Sequence, residues 1–371
     1  MAKRIVTIIS GIEHSLGMEN YLRLLSGEKY TNTVILLHSK KGELAKVLEA
    51  EGLEVIWIPY HGKGSLFKAF RSLVRILKKI QPDIVHTHLF EASILGIHAA
   101  RYCGIKKRIS TRHHSTLHHV SHPKAVKYDR WINNSSTHLV SISRTISKVL
   151  MEMENVPKKK IVLIHHGFDL RPYQNPSPEK LLILKNKYQL KQGQKLIGVI
   201  SRAVEWKGVQ YTIEAFRQIN LKFPETVLIL GNFEGDYKDF LTRKLETLSA
   251  DSYRILDHES NAALVYELFS LFVHVPVDDH SEAFGQVYVE AMAAGKPCVF
   301  TRSGIGNSLC QNEVNCLVVN YRDSDSIATA LERLLSNPEL AESLGQAARS
   351  SVKENFKLSE MVSQLEELYD R

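Results

Sequence analysis

Two glutamates eight residues apart mark the run Glu282-Ala-Phe284-Gly285-Gln286-Val287-Tyr-Val-Glu290-Ala-Met-Ala-Ala-Gly295-Lys-Pro297. A carboxylate accepts charge-assisted hydrogen bonds from both hydroxyls of a vicinal diol, so such a pair suits recognition of a ribose or a pyranose edge. The run follows an apolar stretch at 271–275 and closes on Gly295 and Pro297, a helix stop signal, so a helix is expected to start near Gly285. The first N–H groups of that helix, from Gly285 to Val287, would make an anion site that glycine lets a phosphate approach closely. An acid ahead of a helix and a solvated glutamate two turns in are also ordinary features, and this run alone leaves both readings open. A second run, Ser201-Arg202-Ala-Val-Glu-Trp-Lys207-Gly208, follows an apolar stretch at 196–200. The planar fork of Arg202 and the compact charge of Lys207 complement a diphosphate and could stabilise a developing phosphate anion without metal. The plainer account is a loop whose charges are solvated.

These residues need elements to hold them. A chain of 371 residues with 44% hydrophobic and 24% charged content can build two or three folded domains. Short β-rich runs at 5–9, 33–37, 54–58, 84–86, 108–111, 139–142 and 161–164 alternate with amphipathic stretches. After a proline-rich polar segment the rhythm restarts at 196–200, 226–230, 253–256, 271–275, 297–300 and 316–319. Such alternation predicts βαβ units and two doubly wound parallel sheets, with ligands between the carboxyl ends of their strands. The expected division is a first domain at 1–170, a linker at 171–194, a second domain at 195–357 and a last helix at 358–371.

Charge divides along the same line. Up to Arg171 there are 27 lysines and arginines against 13 acids, and beyond it 21 against 27, which together make the net +8. Fourteen of the 17 histidines lie in the basic part, so acidification is expected to enlarge its positive charge. A basic lobe attracts phosphate in a nucleic acid, an anionic membrane or a phosphorylated substrate. The stretch 65–80 places Lys68, Arg71, Arg75, Lys78 and Lys79 opposite Leu66, Phe70, Leu73, Leu77 and Ile80. That pattern reads first as a core-facing helix with a solvated basic side. With Lys106, Lys107, Arg108, Arg112, Lys124, Lys127 and Arg130 it also makes an anionic membrane surface a candidate partner.

The run from Glu282 to Pro297, the loop of Arg202, Lys207 and Gly208, and Asp83-Ile-Val-His86-Thr-His88 resemble the retaining nucleotide-sugar glycosyltransferases of family 4. The similarity continues through Thr111-Arg112-His113, Ile164-His-His-Gly167-Phe-Asp169 and the closing helices at 339–369, nearly the whole chain. It implies the α/β GT-B fold, two Rossmann-like domains facing a deep cleft, with the acceptor on the first and a nucleoside-diphosphate sugar on the second. Glu290 would bind the donor ribose, Glu282 the donor sugar, and Arg202 and Lys207 the diphosphate. His113 would contact the transferred sugar, making His113, Glu282, Arg202 and Lys207 the expected catalytic set. Gly17, Phe284, Gly285, Gln286 and Val287 complete the donor-binding set, and the last helix would pack back on the first domain. The implied reaction is metal-independent, retaining transfer to a hydroxyl of a lipid-linked or cell-envelope glycan, with no cofactor. The chain departs from the family pattern at Val277, at Cys316 in place of glycine, and in Glu13-His14-Ser15-Leu16 ahead of Gly17.

Asp323-Ser-Asp325 resembles a metal-binding D-x-D but reads better as a helix N-cap. Asp278-Asp279-His280 reads as a solvated loop, because adjacent carboxylates on an extended chain point apart. His86, His88, His113, His114, His118, His119 and His122 lack the cysteine pairing and spacing of a zinc site. Cys103, Cys298, Cys310 and Cys316 form no C-x-x-C pair. With no run long enough for a leader or a membrane span, a cytoplasmic protein is expected, with a peripheral membrane location as the alternative. Rival functions are a nucleotide-sugar epimerase on a similar fold and a non-enzymatic phosphate or nucleic-acid binder. A nucleic-acid partner is not expected, because no aromatic-interleaved basic stripe or reading helix accompanies the charge.

Overall fold

The computed structural model describes residues 2–13, 16–25, 27–174 and 176–371. They form two compact units, one of residues 1–168 with 356–371 and one of residues 169–355. In the first, β1 (Lys3–Ser10), β2 (Tyr30–His38), β3 (Glu54–Pro59), β4 (Ile84–His88), β5 (Lys107–Arg112), β6 (His138–Ser141) and β7 (Ile161–Leu163) form one parallel sheet ordered β3-β2-β1-β4-β5-β6-β7. In the second, β8 (Lys195–Ile200), β9 (Thr226–Gly231), β10 (Tyr253–Ile255), β11 (Leu271–His274), β12 (Cys298–Phe300) and β13 (Leu317–Val318) follow the order β10-β9-β8-β11-β12-β13. The expected fold class is therefore present twice.

Helices on both faces explain the composition of the strands. All six residues from Ile5 to Ser10 are buried, as are all five of β4, because a parallel sheet covered on two sides has no wet face to fill with polar residues. One layer of the first unit is built on Leu73, Leu77, Leu95 and Ala99 against Val6, Ile8 and Val85. The other contains the closing helix Leu358–Asp370, whose Met361, Leu365, Leu368 and Tyr369 join Ile5, Leu22 and Ile84. That helix is further tied down by the Lys3 ammonium, which donates to the Tyr369 carbonyl at 3.1 Å. The second unit has one large core around Ile197, Phe216, Leu228, Val273 and Leu331. Its first residues form a turn at Arg171–Tyr173 and a helix at Pro178–Lys187, capped by the Ser177 hydroxyl.

In each sheet the strand order reverses beside the first strand, between β1 and β4 and between β8 and β11. The loops leaving the two central strands part there, and the crevice at their carboxyl ends is where open α/β sheets take ligands.

Candidate functional site

The second unit's switch point collects most of the residues singled out above. Beyond β8 the chain runs through Arg202, makes a turn at Glu205–Lys207, and enters the helix Val209–Lys222 through Gly208. Gly208 has φ +74°, and a Cβ there would lie 1.9 Å from the Val275 carbonyl oxygen, so only glycine lets this loop sit against the end of β11. The Val277 N–H donates to the Trp206 carbonyl at 3.0 Å across the same junction. Lys207 is thereby carried to the chain that leaves β11, where its ammonium pairs with Glu282 Oε1 and lies 4.6 Å from the Trp206 ring centroid.

Glu282 is 6% exposed and has three anchors. Besides Lys207, His274 Nε2 is 3.0 Å from Oε1, and the Glu282 N–H donates to the Ser303 hydroxyl at 3.1 Å. Burial works to raise the Glu282 carboxyl, but the Lys207 charge and the His274 hydrogen bond outweigh it and hold the group down to about 2. The buried His274 is itself pushed below its ordinary value by desolvation, against the pull of Glu282. A neutral imidazole donating to a carboxylate must carry its proton on Nε2.

Three residues later Gly285, at φ +84°, opens the helix Gln286–Ala293. A Cβ at Gly285 would come within 2.7 Å of the Tyr288 ring, so this glycine too is required by its surroundings. The Tyr288 N–H turns back to the Gly285 carbonyl at 3.1 Å, whereas the Gln286 and Val287 N–H groups ahead of it have no acceptor within the helix, as the anion-site reading needs. Phe284 is buried, Val287 half-buried and Gln286 exposed. Glu290 lies half-buried on the second turn, where its Oε2 accepts a 2.8 Å hydrogen bond from the Tyr266 hydroxyl. Burial raises its carboxyl and the Tyr266 bond opposes that rise. One unit thus holds two acids in contrasting states, Glu282 clamped as an anion by a cation and Glu290 desolvated with only a phenol for company. The exposed Arg202 makes no ion pair among the described residues.

His113 belongs to the first unit, just past β5. Its Nε2 is 3.2 Å from Nδ1 of His88, and its ring stacks on His166 with centroids 5.6 Å apart. His86, one step back on the same face of β4, bonds Tyr369 Oη at 2.6 Å and Thr111 Oγ1 at 2.7 Å. Burial drives His88 and His113 well below the ordinary histidine range, His86 to about 3 and His166 to about 4. These four histidines are neutral at physiological pH, so they contribute nothing to any growth of the first unit's positive charge in mild acid. Gly17 is exposed in the helix Leu16–Leu25, and a Cβ there would meet nothing within 4 Å. His14 and Ser15, which precede it in the sequence, lie outside the described residues.

Two expectations about charge and metal change in detail. Arg112, counted with the basic surface, is buried between Asp129 and Glu154, and Arg108 turns its Nε to the Ser135 carbonyl at 2.8 Å. His114, His118 and Asp129 do bring ligand atoms within 4.8 Å of one another. Yet Arg112 Nη1 lies 2.7 Å from Asp129 Oδ1 and touches His114 Nε2, so a guanidinium already fills the place of a cation. Asp278, Asp279 and His280 also approach within 4.8 Å, but Asp278 Oδ1 accepts from the His280 and Ser281 N–H groups at 3.0 and 2.6 Å, closing a turn. Asp323 Oδ1 accepts from the Ser326 N–H at 2.9 Å, the N-cap its position implies.

His274 and Tyr266 were missed in the sequence. The signal for His274 is a single histidine in the otherwise apolar 271–275, and Tyr266 left none beyond its phenol on an apolar helix.

Residues 17–171 match the family model described as Glycosyltransferase Family 4, and residues 183–351 match Glycosyl transferases group 1. The UDP-Gal:alpha-D-GlcNAc-diphosphoundecaprenol alpha-1,3-galactosyltransferase of Escherichia coli is 22% identical, aligned over 99% of this chain and 95% of its own. The capsular polysaccharide biosynthesis glycosyltransferase CapM of Staphylococcus aureus is 24% identical over 99% and 96%. Among solved structures, Anabaena HepE in complex with UDP and glucose aligns over 100% of both chains with a TM-score of 0.84 at 19% identity, a likeness of fold.

Proposed function

The chain belongs to the family 4 glycosyltransferases of the GT-B fold, and from that premise we propose that it moves a sugar from a nucleoside-diphosphate donor to a hydroxyl acceptor with retention of configuration. The observation that carries the reading is the pairing of Lys207 with Glu282 at the mouth of the helix that also bears Glu290. In this reading Glu290 takes the ribose and Glu282 a hydroxyl of the sugar. Lys207 lies between the carboxylate and the diphosphate, and Arg202 and the first turn of Gln286–Ala293 hold the remaining phosphate oxygens. As the glycosidic bond breaks, charge grows on the departing diphosphate, so these fixed donors act more strongly on the transition state than on the bound donor. The Glu282 carboxylate is already paired with the Lys207 cation and hydrogen-bonded by His274, which suits it to accept hydroxyls rather than to attack carbon. Attack by the acceptor from the face the diphosphate leaves, with a phosphate oxygen taking the proton, therefore accounts for retention without a protein nucleophile. His113, neutral on the first unit, is assigned a hydroxyl of the transferred sugar.

Names and contents of the similar proteins support the donor and acceptor classes: the Escherichia coli enzyme is named for UDP-Gal and a diphosphoundecaprenol-linked sugar, and the Anabaena structure holds UDP. For a lipid-linked acceptor the first unit offers a fitting surface. Helices Leu66–Ile80, Phe90–Tyr102 and Val126–Ser135 pack side by side and expose Phe67 at 73%, Tyr102 at 68% and Trp131 at 60% among Lys68, Arg71, Lys127 and Arg130. Aromatic rings among lysines and arginines suit the headgroup layer of an anionic membrane. No helix of the described residues is long and apolar enough to cross one.

A thermal-shift screen of UDP, GDP and ADP sugars tests the donor class: a ligand at 100 times its Kd raises stability by about 2.7 kcal/mol, and no shift with any of them contradicts it. Turnover that persists in EDTA supports the metal-independent reading, and its loss overturns that part.

A further inference from the structure

Tyr266 is fully buried on the helix Ala262–Leu268, its ring edge-on to Phe269 and Phe272 with centroids 5.9 and 5.3 Å away and tilted against Tyr173 at 6.2 Å. A phenylalanine would fill the same space. A buried hydroxyl costs stability unless it is hydrogen-bonded, so packing alone does not account for the oxygen at this position. Its partner is Glu290 Oε2 at 2.8 Å. The other oxygen, Oε1, has no hydrogen-bond partner among the described residues and is not sealed from solvent, so it is free to accept one.

We infer that Tyr266 is a positioning residue for ribose recognition: by bonding Oε2 it fixes the Glu290 carboxylate in the orientation that accepts the ribose hydroxyls. The inference rests on the reading that Glu290 meets the ribose. The last torsion of a glutamate side chain is broad, and holding it costs entropy that the phenol meets before any ligand arrives. A carboxylate oxygen offers about two acceptor sites, so Oε2 can serve Tyr266 and one ribose hydroxyl while Oε1 serves the other.

The test is titration of UDP, GDP and ADP, each with its 2′-deoxy counterpart, into the full chain carrying Tyr266→Phe, Glu290→Gln or both. Wild type is expected to favour the ribonucleotide of the base it takes by about tenfold or more, the worth of a hydrogen bond to a charged group. Glu290→Gln should abolish that preference. Tyr266→Phe should lower it about threefold or more and raise the donor KM with kcat little changed, and it should add nothing in the Glu290→Gln background. A general weakening of the fold would reduce ribo- and deoxyribonucleotide binding alike. Glu290→Asp, which keeps the charge but draws it away from the phenol, should show the same loss if Tyr266→Phe does not fold. If Glu290→Gln loses the preference while Tyr266→Phe and Glu290→Asp both keep it, the inference is wrong and the ribose reading stands. If Glu290→Gln keeps it, or wild type binds none of the ribonucleotides, the ribose reading fails and the inference with it.

Discussion

The two units place charge at their switch points in the opposite sense to their compositions. The acidic later part of the chain buries a cation, Lys207, against an ionised Glu282, whereas the basic first part gathers four neutral histidines, His86, His88, His113 and His166. The net charge of a region describes what it attracts at long range. The chemistry at its strand ends is set by burial and by the one or two partners each group has.

The contrast can be broken most severely at the ion pair. Lys207→Met leaves the Glu282 carboxylate buried without its cation and should cost about 3 kcal/mol in urea unfolding, most of it recovered in the double variant with Glu282→Gln. A coupling near zero between the two substitutions would mean that the pair behaves like an exposed one.

Acid should separate the units next. His86 and His166 are neutral in the fold and charge in the unfolded chain below about pH 6.5, so their contribution is whole above that value. It is lost as pH falls toward about 4 and about 3, on the order of 1 kcal/mol per pH unit for each. Glu282 keeps its contribution down to its ordinary value of 4.5 and loses it only toward about 2. Hydrogen exchange between pH 7 and 4 should therefore show β4 and β5 opening before β8 and β11, and the reverse order would contradict the assignment of neutral histidines.

A smaller effect is expected at His274. The hydrogen bond favours the ionised form of Glu282, so His274→Phe should raise the acid limb of kcat/KM by roughly one pH unit, and an unmoved limb would remove His274 from the site. Smallest of all is Gly17→Ala. A methyl group meets nothing within 4 Å there, so stability should hold or rise by up to about 1 kcal/mol, and any fall in turnover would report a ligand approaching the backbone. Unchanged turnover would take Gly17 out of the donor set.

The fold was largely legible because parallel strands buried on both faces write themselves as β-branched runs, as 84–88 and 226–231 do. The boundaries were less so. β2 begins at Tyr30, three residues before the run at 33–37, because Tyr30 to Asn32 pair with Lys3 to Ile5 while only Tyr30 of the three adds an apolar side chain to the core. Glu282, Glu290, Arg202 and Lys207 could be picked out by type and spacing, but their partners could not. Lys207 and Glu282 are 75 residues apart and meet only because Gly208 lets one loop rest on the Val275 carbonyl. His274 and Tyr266 lie in segments whose apolar neighbours hide them, and Arg112 looked like surface charge until Asp129 and Glu154 closed around it. Family membership, rather than any one of these contacts, separates a transferase from the epimerase and the phosphate binder.

Titration of UDP, GDP and ADP, each beside its uncharged nucleoside, into the Arg202→Ala/Lys207→Ala chain tests the donor site most directly. The account expects the diphosphate's advantage over the nucleoside to fall by about 100-fold with turnover lost, since each charge-assisted contact is worth roughly a factor of ten. A double variant that binds the diphosphate and turns over as the wild type does would contradict it.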